Sequence, residues 1–213
     1  MTEVAARNRD KVARRQVDKF AERRSQLAAA ALQTLAELGY ARTSLRDIAQ
    51  NSEFSHGVLH YYFSDKTELI MCCVRQYKAE CVRRYDGIVA SAASPEELGR
   101  DFGAVMAGTL RDEEKMHRLW YDLRNQSMFD SAYRADVDEI DQSLERMIWR
   151  IVSKFAELSG APVTLSRSAA YAVYDGLFQH ALSRHLADDP DAADVLEQDV
   201  QRLLYSLVPA TDS

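Results

Sequence analysis

Residues 44–66 read SLRDIAQNSEFSHGVLHYYFSDK, and this stretch decides the fold of the N-terminal part of the chain. Ser44 and Asp47 make the S-x-x-D pattern of a capping box, in which the two side chains satisfy free amide groups at the start of a helix. Ser55 can cap a further helix in the same way. Residues 51–54 lie between the two helices and are predicted to form the turn. The stretch therefore indicates two short helices joined by a tight turn.

The second of these helices is predicted to have a buried side and an outward side. Leu59 and Phe63 are four residues apart, so both fall on one side of an α-helix. The His and Tyr residues around them then face outward, where they can hydrogen-bond DNA bases or phosphates, and Val58 can contact a thymine methyl group. Lys66 opposes the dipole at the start of the next helix, which a nearby phosphate would explain. This pattern is typical of a helix that contacts the major groove of DNA.

Residues 23–70 resemble the DNA-binding domain of the TetR family of bacterial transcriptional regulators. The resemblance rests on T-S-L-R-D-I-A at 43–49, on S-x-G-x-L-x-Y-Y-F at 55–63, and on the Lys66 and Leu69 that follow. It implies an all-α homodimer in which a helix-turn-helix head binds an operator in double-stranded DNA and a helical body binds a small-molecule inducer. The residues that it implies in DNA contact are Ser44, Arg46, Ser55, His56, Gly57, Val58, His60, Tyr61, Tyr62 and Lys66.

Glu53 departs from the family pattern, which usually has glycine in the turn, and His60 stands where tyrosine is common. A non-glycine residue with a left-handed backbone costs about 1–2 kcal/mol, and a carboxylate near phosphates adds repulsion. The departure therefore implies either strain at Glu53 or a turn of a different shape.

Charge and periodicity divide the chain into three segments. Residues 1–22 are rich in Arg and Lys and lack apolar periodicity, so we expect a flexible basic arm that can attract phosphates. Residues 23–68 are predicted to form the helix-turn-helix DNA-binding domain, and residues 69–213 the ligand-binding and dimerisation domain. The basic character is local, because residues 1–70 hold 11 Lys and Arg against 9 Asp and Glu while the whole chain has a net charge of −6.

The composition favours helices over strands. The chain has 8 Gly and 4 Pro among 213 residues, and it contains no alternating apolar and polar run of the kind that strands have. We therefore predict an all-α protein of about nine helices, counted from apolar residues at three- and four-residue steps. A three-helix N-terminal domain containing the helix-turn-helix is expected first, and a larger helical domain after it.

The last two helices, from residue 165 onward, carry long stripes of small or aliphatic side chains. Such helices can pair with their copies in a second subunit to form a four-helix dimer interface. The alternative is that both helices complete the core of a single chain. The residues predicted to form the homodimer interface are Ala169, Ala172, Val173, Gly176, Leu177, His180, Leu196, Val200, Leu203, Leu204 and Leu207.

A ligand-binding body needs a pocket with apolar walls and a few polar groups. An Arg124 that faces inward would favour an acidic ligand, whereas the alternative is a surface or ion-paired arginine. The remaining candidates can equally be plain core residues. The residues predicted to line the pocket are Phe102, Met106, Trp120, Tyr121, Arg124, Met128, Met147, Tyr174 and Phe178.

The sequence contains no recognisable catalytic constellation. His56 and His60 have the spacing of two metal ligands on one helix face, but no Glu lies between them and no third ligand is apparent. We therefore predict neither an enzyme nor a bound metal or other cofactor. No apolar run approaches the length of a membrane span and the N-terminus is charged, so we expect a cytoplasmic protein without a membrane partner.

These patterns favour a ligand-responsive transcriptional regulator. The resemblance implies a repressor that binds a palindromic operator as a dimer and is released by a small-molecule inducer. The runner-up is a helical protein-interaction module without DNA binding. That alternative would explain the helical body, but not the capped short helices of residues 44–66 and their polar outward side.

Overall fold

Helices make up all of the regular structure in the computed structural model, which describes residues 17–32, 34–35, 39 and 43–208. No strand lies within these residues, so the predicted all-α class is confirmed. None of the described helices is both long and apolar enough to cross a membrane. The helices are α1 (residues 17–32 and 34–35), α2 (Leu45–Gln50), α3 (His56–Tyr62), α4 (Lys66–Ser91), α5 (Pro95–Asp112), α6 (Glu114–Ser127), α7 (Arg134–Ser159), α8 (Arg167–His185) and α9 (Ala192–Leu207), with a short 3-10 helix at Ser131–Tyr133.

The chain divides into two compact units, Met1–Gln76 and Tyr77–Ser213. The division falls inside α4, later in the chain than the predicted boundary after residue 68, and α4 continues through it without a break. Of the predicted basic arm, residues 17–22 are helical and belong to α1. The rest of the arm lies outside the described residues.

Local capping defines the ends of the first three helices. Gly39 has a left-handed φ of 77° and donates its N–H to the Leu35 carbonyl at 2.8 Å, which is typical of a glycine that follows a helix. At the start of α2, Ser44 Oγ accepts the Asp47 N–H at 3.2 Å and Asp47 Oδ2 accepts the Ser44 N–H at 2.8 Å. Ser55 Oγ caps α3 by accepting the Val58 N–H at 3.3 Å. Both caps predicted from the sequence are confirmed.

The turn at residues 51–54 contains no residue with a left-handed backbone. Among the described residues, Asp188 is the only non-glycine with a positive φ, so Glu53 does not carry the strain that its departure from the family pattern implied. Phe54 instead folds inward, and the Arg23 guanidinium lies 4.9 Å from the centre of its ring. The turn therefore has a shape that does not need glycine, which is the second of the two alternatives.

The core of the first unit is apolar, and an ion pair lies at its edge. Leu59 and Phe63 are buried, as their spacing predicts. The Arg24 guanidinium lies 4.7 Å from the centre of the Phe63 ring and pairs with Glu68 Oε1 at 2.6 Å. Glu68 Oε2 accepts the Ser64 N–H at 2.8 Å. These contacts hold the junction between α3 and α4.

In the second unit, α5 packs most extensively against α9. Gly103 allows this approach, because a Cβ at that position would lie 2.8 Å from the Glu197 carbonyl oxygen of α9. The inward side of α9 is consequently part of the core of its own chain. The residues on that side are Leu196, Val200, Leu204 and Leu207, and all four are buried.

This burial corrects the predicted dimer interface. Leu196, Val200, Leu204 and Leu207 cannot offer a surface to a second subunit while α9 holds them against the rest of its own chain. Their periodicity identifies an apolar face of the helix, but it does not identify the neighbour of that face. Leu203, by contrast, is half-buried. The interface role of the α8 residues stays a prediction.

Gly103→Ala is expected to lower the free energy of unfolding by roughly 1–3 kcal/mol, because the added methyl group forces α5 away from the α9 backbone. Urea unfolding followed by circular dichroism measures this change. Gly108→Ala on the same helix is the matched control, since outside the local helix backbone none of the described atoms lies within 4 Å of a Cβ there. Its stability should be that of the wild type or higher by about 1 kcal/mol. Equal destabilisation by both variants would contradict the close contact at Gly103.

Candidate functional site

The outward side of α3 is the surface predicted to contact DNA. His56, Gly57 and His60 are exposed there, and Tyr61 has 73% of its surface accessible. We call these four residues the α3 face. Leu59 on the opposite side is completely buried. The helix thus has the two-sided character that the sequence predicts.

Ring contacts order the side chains of the α3 face. The ring centres of His56 and His60 lie 4.4 Å apart in an edge-to-face arrangement. The ring centres of Tyr61 and Tyr62 lie 5.0 Å apart, and Tyr62 turns back to pack 4.8 Å from Phe20 of α1. Tyr62 is therefore half-buried and held by α1, while Tyr61 projects from the helix.

The other residues predicted to contact DNA lie in α3 or at nearby helix ends. Ser44 and Ser55 are exposed N-caps, so their hydroxyl groups already accept backbone amides of their own helices. Arg46 is exposed in the first turn of α2, whereas Val58 and Lys66 are half-buried. Each of these residues keeps part of its surface accessible.

The second unit contains a cavity of about 70 Å³, walled by residues of α4 to α8. Six of the nine predicted pocket residues line it: Met106, Trp120, Tyr121, Met147, Tyr174 and Phe178. The lining residues that the sequence did not predict are Lys78, Cys81, Tyr85, Thr109, His117, Leu144, Ile148, Tyr171 and Asp175. Sites that enclose drug-sized ligands measure about 300–1,000 Å³, so this cavity has to open before it can hold such a molecule.

Three predicted pocket residues do not line the cavity. Phe102 is completely buried behind the wall, where its ring packs edge-on against Tyr174 with 5.3 Å between the ring centres. Met128 follows the last residue of α6 and is 66% exposed, because the helix ends before this side chain can point inward. Arg124 faces two carboxylates instead of the cavity.

Arg124 is ion-paired, which is the alternative left open by the sequence. Its Nη1 atom lies 2.5 Å from Asp175 Oδ2 and its Nε atom lies 3.2 Å from Asp141 Oδ2. Tyr121 donates its hydroxyl to Asp175 Oδ1 at 3.0 Å, and Tyr171 donates to Asp141 Oδ1 at 2.5 Å. Burial raises the pKa of Asp141, against the opposing effects of Tyr171 and Arg124. Both carboxylates are thus bound within the protein.

A second chain of buried polar contacts begins at Lys78. Lys78 Nζ lies 3.4 Å from His117 Nδ1, and His117 Nε2 lies 3.0 Å from the Tyr77 hydroxyl. Tyr77 donates to Glu113 Oε2 at 2.6 Å, and Arg84 pairs with the other Glu113 oxygen at 2.7 Å. Burial, reinforced by the charges of Lys78 and Arg84, lowers the pKa of His117 well below its ordinary value of 6.5. A neutral His117 accepts from Lys78 at Nδ1 and donates from Nε2 to Tyr77, so each contact has one donor and one acceptor.

Two polar groups of the cavity wall have unused hydrogen-bonding capacity. Lys78 is only 6% exposed and burial lowers its pKa, yet no carboxylate in the described part of the chain forms an ion pair with it. Tyr174 is 1% exposed, and its hydroxyl has no hydrogen-bond partner among the described residues. A buried donor without an acceptor is unfavourable, so both groups favour a bound acceptor in the cavity.

Sequence periodicity alone does not identify the charged residues of the wall. Charged side chains are expected at the surface. Lys78 directly follows the inward-facing Tyr77, and a lysine at such a position is more often exposed than buried. The spacing of residues on α4 nevertheless indicates that Lys78 is buried. Lys78 lies three residues before Cys81 and seven before Tyr85, so it shares a helix side with two buried residues.

The family described as "Bacterial regulatory proteins, tetR family" matches residues 27–71, which include the whole α3 face. The HTH-type transcriptional regulator PksA of Bacillus subtilis is 25% identical over 166 residues, covering 76% of this chain and 79% of PksA. The HTH-type transcriptional repressor KstR2 of Mycobacterium tuberculosis is 28% identical over 145 residues, covering 54% of this chain and 72% of KstR2. The transcriptional regulator FadR of Bacillus subtilis, solved in complex with stearoyl-CoA, has a similar fold with a TM-score of 0.67 at 18% identity, covering 88% of this chain and 98% of FadR.

His117 is expected to make the stability of the protein depend on pH. Its pKa is lowered on folding, so below about pH 6.5 the unfolded chain binds a proton that the folded chain does not. The free energy of unfolding should therefore fall by up to about 1.4 kcal/mol per pH unit between about pH 6.5 and 5. His117→Asn should remove this part of the slope, which urea unfolding at a series of pH values measures.

The control is His60→Asn, measured without DNA, which replaces an exposed histidine of α3 and should keep the wild-type slope. A slope for His117→Asn equal to that of the wild type would contradict a neutral, buried His117.

Proposed function

The chain belongs to the TetR family of bacterial transcriptional regulators, and on this premise we propose a repressor that binds a palindromic DNA operator as a homodimer and is released by a small molecule. The chain is thus a DNA-binding transcriptional regulator, and the matched family consists of regulators rather than enzymes. The observation that carries the proposal is the exposed α3 face on a helix whose other side is buried. We expect the protein to act in the cytoplasm, where the bacterial chromosome lies.

The α3 face offers hydrogen-bonding groups suited to the major groove. His56 and His60 present ring nitrogens and Tyr61 presents a hydroxyl, all of which can bind base edges or phosphates. Leu59 and Phe63 anchor the helix in the core, so these groups project from a rigid element. Further DNA contacts are proposed for Ser44, Arg46, Ser55, Gly57, Val58, Tyr62 and Lys66.

A homodimer would bring two α3 faces to successive major grooves, about 34–36 Å apart. The contact surface that we propose is the side of α8 that the single chain leaves exposed, where Ala172, Val173, Gly176 and His180 lie. Small and apolar residues exposed on a helix that otherwise packs against α7 and α9 favour contact with a second copy. The half-buried residues Ala169, Leu177 and Leu203 would extend this surface.

Release by a ligand is proposed to act through α4. This helix follows directly after the α3 region and contributes Lys78, Cys81 and Tyr85 to the cavity wall. Since the cavity has to open to admit a ligand, binding should displace these side chains. A ligand that prefers the displaced arrangement shifts the population away from the spacing of α3 faces that fits DNA. The stearoyl-CoA complex of FadR supports a ligand-binding role for a body of this fold.

His56→Ala combined with Tyr61→Ala should abolish specific operator binding, because both side chains project from the α3 face and specific contacts exceed non-specific ones by about a thousandfold or more. A gel shift with the DNA upstream of the protein's own gene measures the affinity. Repetition over a range of salt concentrations should show a steep loss of wild-type binding as salt competes with the phosphate contacts.

Phe129→Ala is the control for this double variant, since it removes an aromatic ring of 87% exposure from the other unit. Circular dichroism checks that all variants fold. Unchanged affinity of the double variant would exclude α3 as the DNA-contacting helix. A wild-type protein that binds no DNA would favour the helical protein-interaction module instead.

Gly176→Arg is expected to convert the dimer into a folded monomer. Outside the backbone of its own helix turn, no described atom lies within 4 Å of a Cβ at Gly176, so the larger side chain fits the single chain. In a symmetric dimer, however, the introduced arginines would occupy the contact surface of both subunits. Size-exclusion chromatography with light scattering measures the mass. The control is Gly87→Arg, at an exposed glycine with equally open surroundings. A dimer that survives Gly176→Arg would move the interface away from this side of α8.

A further inference from the structure

We propose that the cavity binds a small aromatic carboxylic acid as its anion, with the carboxylate held by Lys78 and Tyr174. This inference rests on the proposed ligand-responsive function and adds the chemical class of the ligand. Its basis is the distinction between polar groups of the wall that already have partners and those that do not.

Lys78 forms no direct ion pair with a described carboxylate, although the charges of Asp175, Glu113 and Asp141 act on it from a greater distance. Its Nζ atom contacts His117 Nδ1 at 3.4 Å and lies 5.4 Å from the ring centres of both Tyr77 and Trp120. The aromatic faces offset part of the cost of burying the ammonium group, but they neutralise no charge. A neutral His117 takes one of three ammonium hydrogens. Lys78 therefore has both the charge and the free donors that an anion requires.

The acidic residue of the wall is already bound within the protein. Asp175 lines the cavity, but its Oδ2 pairs with Arg124 at 2.5 Å and its Oδ1 accepts the Tyr121 hydroxyl at 3.0 Å. A cationic ligand would have to displace these contacts, and it would also approach Lys78, which lines the same cavity. An anion avoids both penalties. The charge pairing in the wall thus favours an acidic ligand over a basic one.

Tyr174 supplies a second donor to the same small space. Its hydroxyl is buried without a partner among the described residues, and it lines the same cavity as Lys78. A carboxylate has two oxygens, one for the ammonium group and one for the phenol. This arrangement would satisfy both unused donors with a single ligand group.

The apolar residues of the cavity wall favour an aromatic ring in the ligand. Trp120, Phe178 and Tyr85 present aromatic surface, and Met106 and Met147 add polarisable sulfur that packs well against rings. The closed volume of about 70 Å³ favours a small ligand, because a larger one needs a larger displacement of the wall. These properties match a single aromatic ring that carries a carboxylate.

Isothermal titration calorimetry with benzoate, phenylacetate and 3-phenylpropionate, each compared with its primary amide, tests this inference. The amides keep the ring and nearly the same shape but lack the negative charge. The wild-type protein should bind at least one of the acids roughly ten- to a hundredfold more tightly than its amide, because a buried hydrogen bond to a charged group is lost with the amide.

Lys78→Met should weaken acid binding by the same factor and leave amide binding unchanged, so the preference for the acid disappears. Tyr174→Phe should weaken acid binding by a smaller factor, roughly three- to tenfold. Lys115→Met is the matched control, since it makes the same substitution at an exposed lysine of α6 and should retain the wild-type preference. Lys78→Met replaces a buried charged side chain with an apolar one of similar length, so the protein should stay folded. Circular dichroism checks this.

Three outcomes would overturn the inference: acid and amide of equal affinity in the wild type, a preserved preference in Lys78→Met, or no binding of any of the three acids. A gel shift with the operator, without and with each acid, separates this inference from the proposed function. If the wild type binds DNA but no acid binds, the ligand class alone is wrong. If no DNA is bound, the proposed function fails, while the calorimetric result on the free protein still stands.

Discussion

One side of α4 is buried over much of the helix, and this constraint shapes both compact units. In the first unit the buried side is apolar, as Leu69 and Cys73 show. In the second unit the same helix buries Lys78 beside Cys81 and Tyr85. Polar groups can be buried there because the neighbouring helices supply partners for most of them and a cavity lies beside the others. A single continuous helix therefore carries both an apolar anchor and a charged residue of the cavity wall.

The pairing of partly buried charges distinguishes the polar residues of the second unit. Arg124 holds Asp141 and Asp175, and each carboxylate also accepts a tyrosine hydroxyl. Loss of one partner from this partly buried group would leave the others unpaired, which is destabilising, so the group is expected to stay fixed. Lys78 differs, since none of the described carboxylates pairs with it. Lys78 is thus a charged residue of the cavity wall without an ion-pair partner among the described residues.

Features of the first unit that depend on residues a few positions apart could be predicted from the sequence. The caps at Ser44 and Ser55 and the burial of Leu59 belong to this group. Glu53 does not, because the backbone of its turn depends on how Phe54 packs into the core. In the second unit, most of the aromatic and methionine lining could be predicted from helix periodicity. The charged lining could not, since burial of a charge depends on partners elsewhere in the chain.

The helical class, the helix caps and the two sides of α3 could be read from the amino-acid sequence. These features follow from hydrogen bonds and side-chain positions within one or two helical turns, so they need no knowledge of distant residues. Which apolar faces meet and which charges pair depends instead on how the helices pack together. The stripe on α9 suits a second subunit or the core of its own chain equally well, and the close approach of α5 at Gly103 selects the core. Arg124 and Asp175 are 51 positions apart, and Lys78 and His117 are 39 apart, so packing of separate helices brings each pair together.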